Sequence, residues 1–159
     1  MNRALSMTLN AFIVFTVVSC GDSTEERVES WSGRESTFDL TIGTGRDSFE
    51  PLEEGGVLIL ERGTQGLQHI YVSLRAPIAE GLHLIDLSLT FNNVRYSSPT
   101  RVNAPFLSVE GEDFTELVGQ FVVVPEPSGV LDVPATLRAQ VEPSGGGFAE
   151  VVQEVTVSW

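Results

Sequence analysis

Ile85-Asp86-Leu87-Ser88-Leu89-Thr90-Phe91 decides the fold class. Apolar residues at every second position give a side-chain period of two, that of a strand with one buried face, and no helical stripe of period 3.6. Leu82 and Leu84 precede the run out of phase with it, which predicts a β-bulge near Leu84-Ile85. The run stops at Asn92-Asn93, and because Asn tolerates positive φ, the pair predicts a tight hairpin leading into Val94.

The same period runs through residues 37–42, 68–75, 136–141 and 151–159, while 57–61 is a short apolar run. Residues 117–124 are rich in Val and predict a central strand. Two further short strands are expected between Phe91 and Thr115. Gly43-Thr44-Gly45, Gly55-Gly56, Gly63-Thr64-Gln65-Gly66, the Pro-rich stretch from Pro125 and Pro143 to Gly147 supply turn chemistry between them. Short strands at such spacing, with no helical stripe and no internal repeat, predict an all-β domain over residues 37–159. The expected form is an immunoglobulin-like antiparallel β-sandwich of about seven to nine strands. A disulfide needs two thiols and Cys20 is the only cysteine, so the core alone must hold the domain.

The first twenty residues have another character. Arg3 is followed by a polar-interrupted apolar run, densest from Ala11 to Val18, with no acid before Asp22. A charged start, an apolar middle and a small residue before a cut are the secretory pattern. The run is too short for a spanning helix of about 20 apolar residues. Val17-Val18-Ser19-Cys20 resembles the lipobox of bacterial lipoproteins, with Val17 where Leu is commonest. Over residues 1–19 the resemblance implies a signal peptide cut between Ser19 and Cys20, with diacylglycerol on the Cys20 thiol and an acyl chain such as palmitate on the new amino group. By the sorting pattern of enteric lipoproteins, Gly21 rather than Asp after Cys20 implies the outer membrane, with plain secretion as the alternative. Residues 20–36 then form the lipidated Cys and a polar, disordered tether. Its root-mean-square reach is roughly 20–25 Å. Trp31 is its one large apolar side chain, suited to docking either on the domain or at the membrane interface.

Nine Arg, no Lys and 22 acids give a formal charge of −13, one unit more negative once Arg3 leaves with the signal. That balance excludes a nucleic-acid partner, which needs clustered positive charge. It also excludes an electrostatic grip on anionic lipid. Membrane attachment falls to the acyl chains, of which more than one is needed for stable anchoring.

No catalytic set stands out. The two histidines, His69 and His83, read as solvent-facing strand residues, and no Gly-x-Ser-x-Gly elbow accompanies them. Two histidines without a free cysteine make a poor zinc set. Glu110, Glu112, Asp113 and Glu116 gather around a probable loop as calcium candidates, without the spacing of a calcium loop, and solvated charge is the plainer reading. The Gly-rich turns lack the Lys and the following helix of a phosphate loop. The expectation is therefore a lipid-anchored envelope protein with a non-enzymatic binding or structural role and no cofactor. Its partner would be an envelope protein or glycan, met through the loops at 50–56, 63–66 or 125–134 or along an edge strand. The alternatives are a small secreted hydrolase using His69 or His83 with an acid, and a calcium-dependent adhesion module.

Overall fold

In a computed structural model of the chain, residues 33–63 and 65–159 are described. All that follows concerns the compact unit Gly33–Trp159. The expected leader, the Ser19–Cys20 junction with its lipidation site, and Trp31 lie outside the described residues.

The described residues form eleven strands: β1 Thr41–Thr44, β2 Glu50–Pro51, β3 Gly56–Ile59, β4 Glu61–Arg62, β5 Gln68–Ala76, β6 Gly81–Phe91, β7 Val94–Arg95, β8 Thr100–Ser108, β9 Thr115–Val123, β10 Pro134–Glu142 and β11 Ala149–Ser158. A single 3-10 turn at Pro127–Gly129 is the only helical piece among them, so the domain is all-β. The hydrogen-bonded order is β2-β1-β5-β9-β8-β6-β10-β11-β3, with β4 added to β5 and β7 to β6. Every strand pair is antiparallel except β3 with β11, which run parallel. The sheet is therefore mixed rather than wholly antiparallel, because β3 and β11 are far apart in sequence and no hairpin dictates their direction.

The sheet curls because two segments change partners. β8 pairs with β6 from Thr100 to Phe106, then Leu107 and Ser108 pair with β9. Pro105 sits just before that switch, on a stretch of β8 paired only to β6, where a residue without an N–H is tolerated. On the other side, β3 follows β11 as far as Ile59 and β4 then pairs with β5 from Glu61. Leu60 between them donates its N–H to the Ser158 carbonyl at 2.7 Å. Two leaves result, and their inner faces share one core. Ile70, Val72, Leu74 and Val122 come from the β5–β9 leaf; Ile85, Leu87, Leu89, Leu137, Val141, Val155 and Val157 come from the other. Each such side chain contributes about 1.5–3 kcal/mol relative to exposure.

β6 carries the expected alternation without interruption, and its register with β8 and β10 shows no shift. The bulge expected at Leu84-Ile85 is not there. His83, not Leu82 or Leu84, takes the inward position before Ile85, and Leu82 is exposed. The bulge lies instead in β9, where Val118 and Gly119 together face Ser73 of β5. Gly119 has φ +69, and a Cβ there would stand 2.3 Å from the Arg46 carbonyl oxygen. Only glycine meets both conditions. The Asn92-Asn93 turn is as expected, with φ of 49 and 62 and Phe91 opposite Val94.

At the N-terminal end, β1 begins at Thr41 and takes in Gly43-Thr44, expected as a loop. Gly43 fits the strand because β2 crosses close: a Cβ would lie 2.6 Å from the Glu50 carbonyl. The tether expected to run to Ser36 is already engaged at Arg34. Its guanidinium meets Glu142 at 3.2 Å and lies 4.6 Å from the centre of the Phe148 ring.

Candidate functional site

The two histidines fall on opposite faces of the domain's sheets. His83 is buried, at 2% exposure, beside Phe106 at 5.4 Å. Its Nε2 lies 2.7 Å from the Ala79 carbonyl, and its Nδ1 accepts the Ser144 N–H at 3.2 Å. That pattern requires the neutral ring with its proton on Nε2, and both nitrogens are then engaged by backbone. His83 is a core residue joining the β5–β6 and β10–β11 loops, not the solvent-facing strand residue expected. His69, at the start of β5, does point outward. It faces Glu61 of β4 on one side and Val123 of β9 on the other.

The acids at 110–116 do not converge. Glu112 N–H closes a turn onto the Val109 carbonyl, with exposed acids at its tip. Glu116 is drawn away into β9, where its Oε1 accepts two N–H bonds from Arg75, at 2.6 and 2.9 Å. The Arg75 guanidinium lies 4.2 Å from the ring centres of both Phe49 and Phe114, so Glu116 belongs to a structural clasp. Among the described residues, no group of three or more His, Cys, Asp or Glu is placed to hold a metal ion.

Of the three loops singled out, the one at 50–56 is tied to β11, with Gly55 N–H on the Glu154 carbonyl at 2.8 Å and Gln153 donating to the Leu52 carbonyl. The loop at 125–134 packs down through buried Val130 and the 3-10 turn, beside Tyr96. The loop at 63–66 borders a groove of about 300 Å³ with an aromatic floor, while Pro125 and Glu126 border another of about 290 Å³ beside Tyr96. Its Gly63 N–H bonds the Leu67 carbonyl at 2.7 Å and its Gly66 N–H bonds the Gly63 carbonyl at 2.9 Å.

That groove, of about 300 Å³, lies on the outer face of the β5–β9 leaf. Tyr71 and Phe121 are directly opposed across the two strands, as are His69 and Val123. Alternation along each strand turns all four outward while Ile70, Val72 and Val122 turn in. The His69 ring stands edge-on to Tyr71 at 5.1 Å and to Phe121 at 6.1 Å. Leu67 and Gln65 form the loop wall, and Leu67 and Phe121 are 52% and 55% exposed. Beyond Tyr71 a second groove of about 250 Å³ is rimmed by Arg46, Glu50 and Glu61. Arg46 lies 5.8 Å over the Tyr71 ring. It is placed there by Ser73, whose buried hydroxyl donates to the neighbouring Gly45 carbonyl at 3.1 Å and accepts the Gly119 N–H at 3.0 Å. Thr44 Oγ1 donates to the Tyr71 carbonyl at 3.2 Å.

An aromatic floor with a few planar polar groups at its rim is the usual make-up of a small-ligand site. The described residues lining the groove beside His69 are Gly63, Gln65, Leu67, Tyr71, Phe121 and Val123, with Glu61 opposite His69 on β4. Of the site's residues, His69, the loop at 63–66 and Glu50 of the loop at 50–56 stand out in the sequence. Tyr71 has a sequence signal, its outward phase against Ile70 and Val72. Phe121 has none, because the β-branched run around it reads as buried throughout and the bulge at Gly119 resets its phase. Arg46 reaches Tyr71 only through a tertiary contact. No family model matches this chain, and no curated protein does.

Proposed function

We propose that this chain is a non-enzymatic binding module held at the bacterial cell envelope by acyl chains on Cys20. The observation that carries the binding part is the exposed Phe121 beside the half-buried Tyr71 in their groove. Large aromatic side chains on an outward sheet face forgo burial, and in proteins without a catalytic set such surfaces mark recognition sites. The engagement of both His83 nitrogens by backbone, and the edge-on contacts of His69 with Tyr71 and Phe121, support recognition over hydrolysis. The lipid part rests on the Val17–Cys20 motif and on the acidity that leaves the chain no electrostatic hold on a membrane. An outer-membrane position follows from Gly21 after Cys20.

The strand order supports reading the fold as immunoglobulin-like. The orders β1-β5-β9 and β6-β10-β11 are similar to A-B-E and C-F-G of that sandwich, while β8 runs mainly along β6 and meets β9 only at Leu107 and Ser108. The aromatic shelf then sits on the B and E strands rather than on the end loops.

Metabolic labelling with an alkynyl fatty acid tests the anchor. The wild-type chain is expected to take up label and sediment with membranes, and Cys20→Ala to take up none. Unlabelled wild type, or label retained in Cys20→Ala, would overturn the anchoring. Photo-crosslinking from position 121 in cells, together with the saccharide titration below, tests the binding part.

A further inference from the structure

We propose that the paired grooves on either side of Tyr71 bind a neutral saccharide. This deepens the binding reading above and rests on it. The first argument is the form of the floor. One face of a pyranose ring is a patch of C–H groups, and such a patch stacks on aromatic rings. Phe121, 55% exposed, offers such a ring, opposite the half-buried Tyr71, with His69 braced edge-on against both.

The second argument is the rim. Gln65 on one side and Arg46, Glu50 and Glu61 on the other are planar groups able to bond two neighbouring hydroxyls at once. The third is charge. Two carboxylates against one guanidinium at the rim, on a chain of formal charge −13, repel acidic polysaccharides and phosphate esters. Arg46 lies over the Tyr71 ring, so a cationic ligand would meet like charge there, and the exposed ring of Phe121 carries the stacking. Neutral polyols remain.

A protein partner fits less well. Adding a strand to β5 at the first groove needs a free edge, but there β4 covers β5 at His69 and Thr44 caps the Tyr71 carbonyl. A stable protein interface also takes about 800 Å² per partner, and the two grooves are small, about 300 and 250 Å³.

The test uses the full chain in a polyoxyethylene detergent, which carries no sugar headgroup. It is run through native gels containing a panel of neutral polysaccharides, with acidic ones alongside. At least one neutral polysaccharide is expected to retard the wild type and no acidic one to do so. Tyr71→Ala and Phe121→Ala should each weaken the retardation at least tenfold, and Val152→Ala, exposed on β11, should leave it unchanged. No retardation by any neutral polysaccharide, or retardation indifferent to both substitutions, would overturn the proposal. If no saccharide binds but a photo-crosslinker at position 121 captures an envelope protein, the saccharide inference falls and the binding reading stands. If neither occurs, both fall.

Discussion

Ser73 is buried in the middle of β5, and its hydroxyl holds two segments that have no strand pairing with each other. Removing it leaves the half-buried Gly119 N–H and Gly45 carbonyl without their shared partner. Ser73→Ala should therefore cost about 2 kcal/mol, a fall in Tm of roughly 5–10 °C in a domain of this size. Thermal unfolding followed by circular dichroism would check it, and an unchanged Tm would remove Ser73 from its bracing role. His83 shows why a single residue misleads a reader of pattern. An imidazole on an alternating strand counts as polar, yet backbone partners on both nitrogens let it replace an aliphatic residue in the core. Glu116 misleads in the opposite sense: its neighbours in sequence are loop acids, but its partner is Arg75, 41 residues away.

Among the elements, β9 does most to shape the candidate site. Its bulge makes room for the loop after β1 and sets the phase that turns Phe121 outward beside Tyr71. A methyl group at Gly119 would meet the Arg46 backbone and hold a residue with a side chain at φ +69. Gly119→Ala should destabilise the domain by about 2–4 kcal/mol, combining overpacking with left-handed backbone strain. It should also swing Arg46 off Tyr71, seen as a changed tyrosine environment in near-ultraviolet circular dichroism. A variant as stable as wild type would refute the close approach. β6 and the Asn92-Asn93 turn were readable from the sequence because local alternation and local turn chemistry act within a few residues. The bulge was not, because β9 carries Val118-Gly119-Gln120 with no sign of which residue on another strand they face.

At the scale of the molecule, the unit Gly33–Trp159 contains both partner-switching segments and every strand pairing described. A chain beginning at Gly33 should therefore unfold in one cooperative transition at the same Tm as the full chain. A lower Tm or a broadened transition would show that residues 1–32 contribute to the fold. Such a result would also bear on Trp31, for which docking on the domain is one of two expectations. The parallel β3–β11 pair makes the domain depend on its last strand, since β11 lies between β10 and β3.

The sequence by itself determined that this is an all-β domain without a disulfide, where its main strands and turns fall, and that a lipobox-like motif precedes it. These depend on local periodicity, turn residues and the count of thiols, all of which act over short distances along the chain. Only the tertiary structure decided the mixed sheet, the inward His83, the Arg75–Glu116 clasp and the aromatic shelf. Each arises where strands far apart in sequence are brought into register. There an outward Phe121 and a buried Val122 differ only in which neighbour the fold provides.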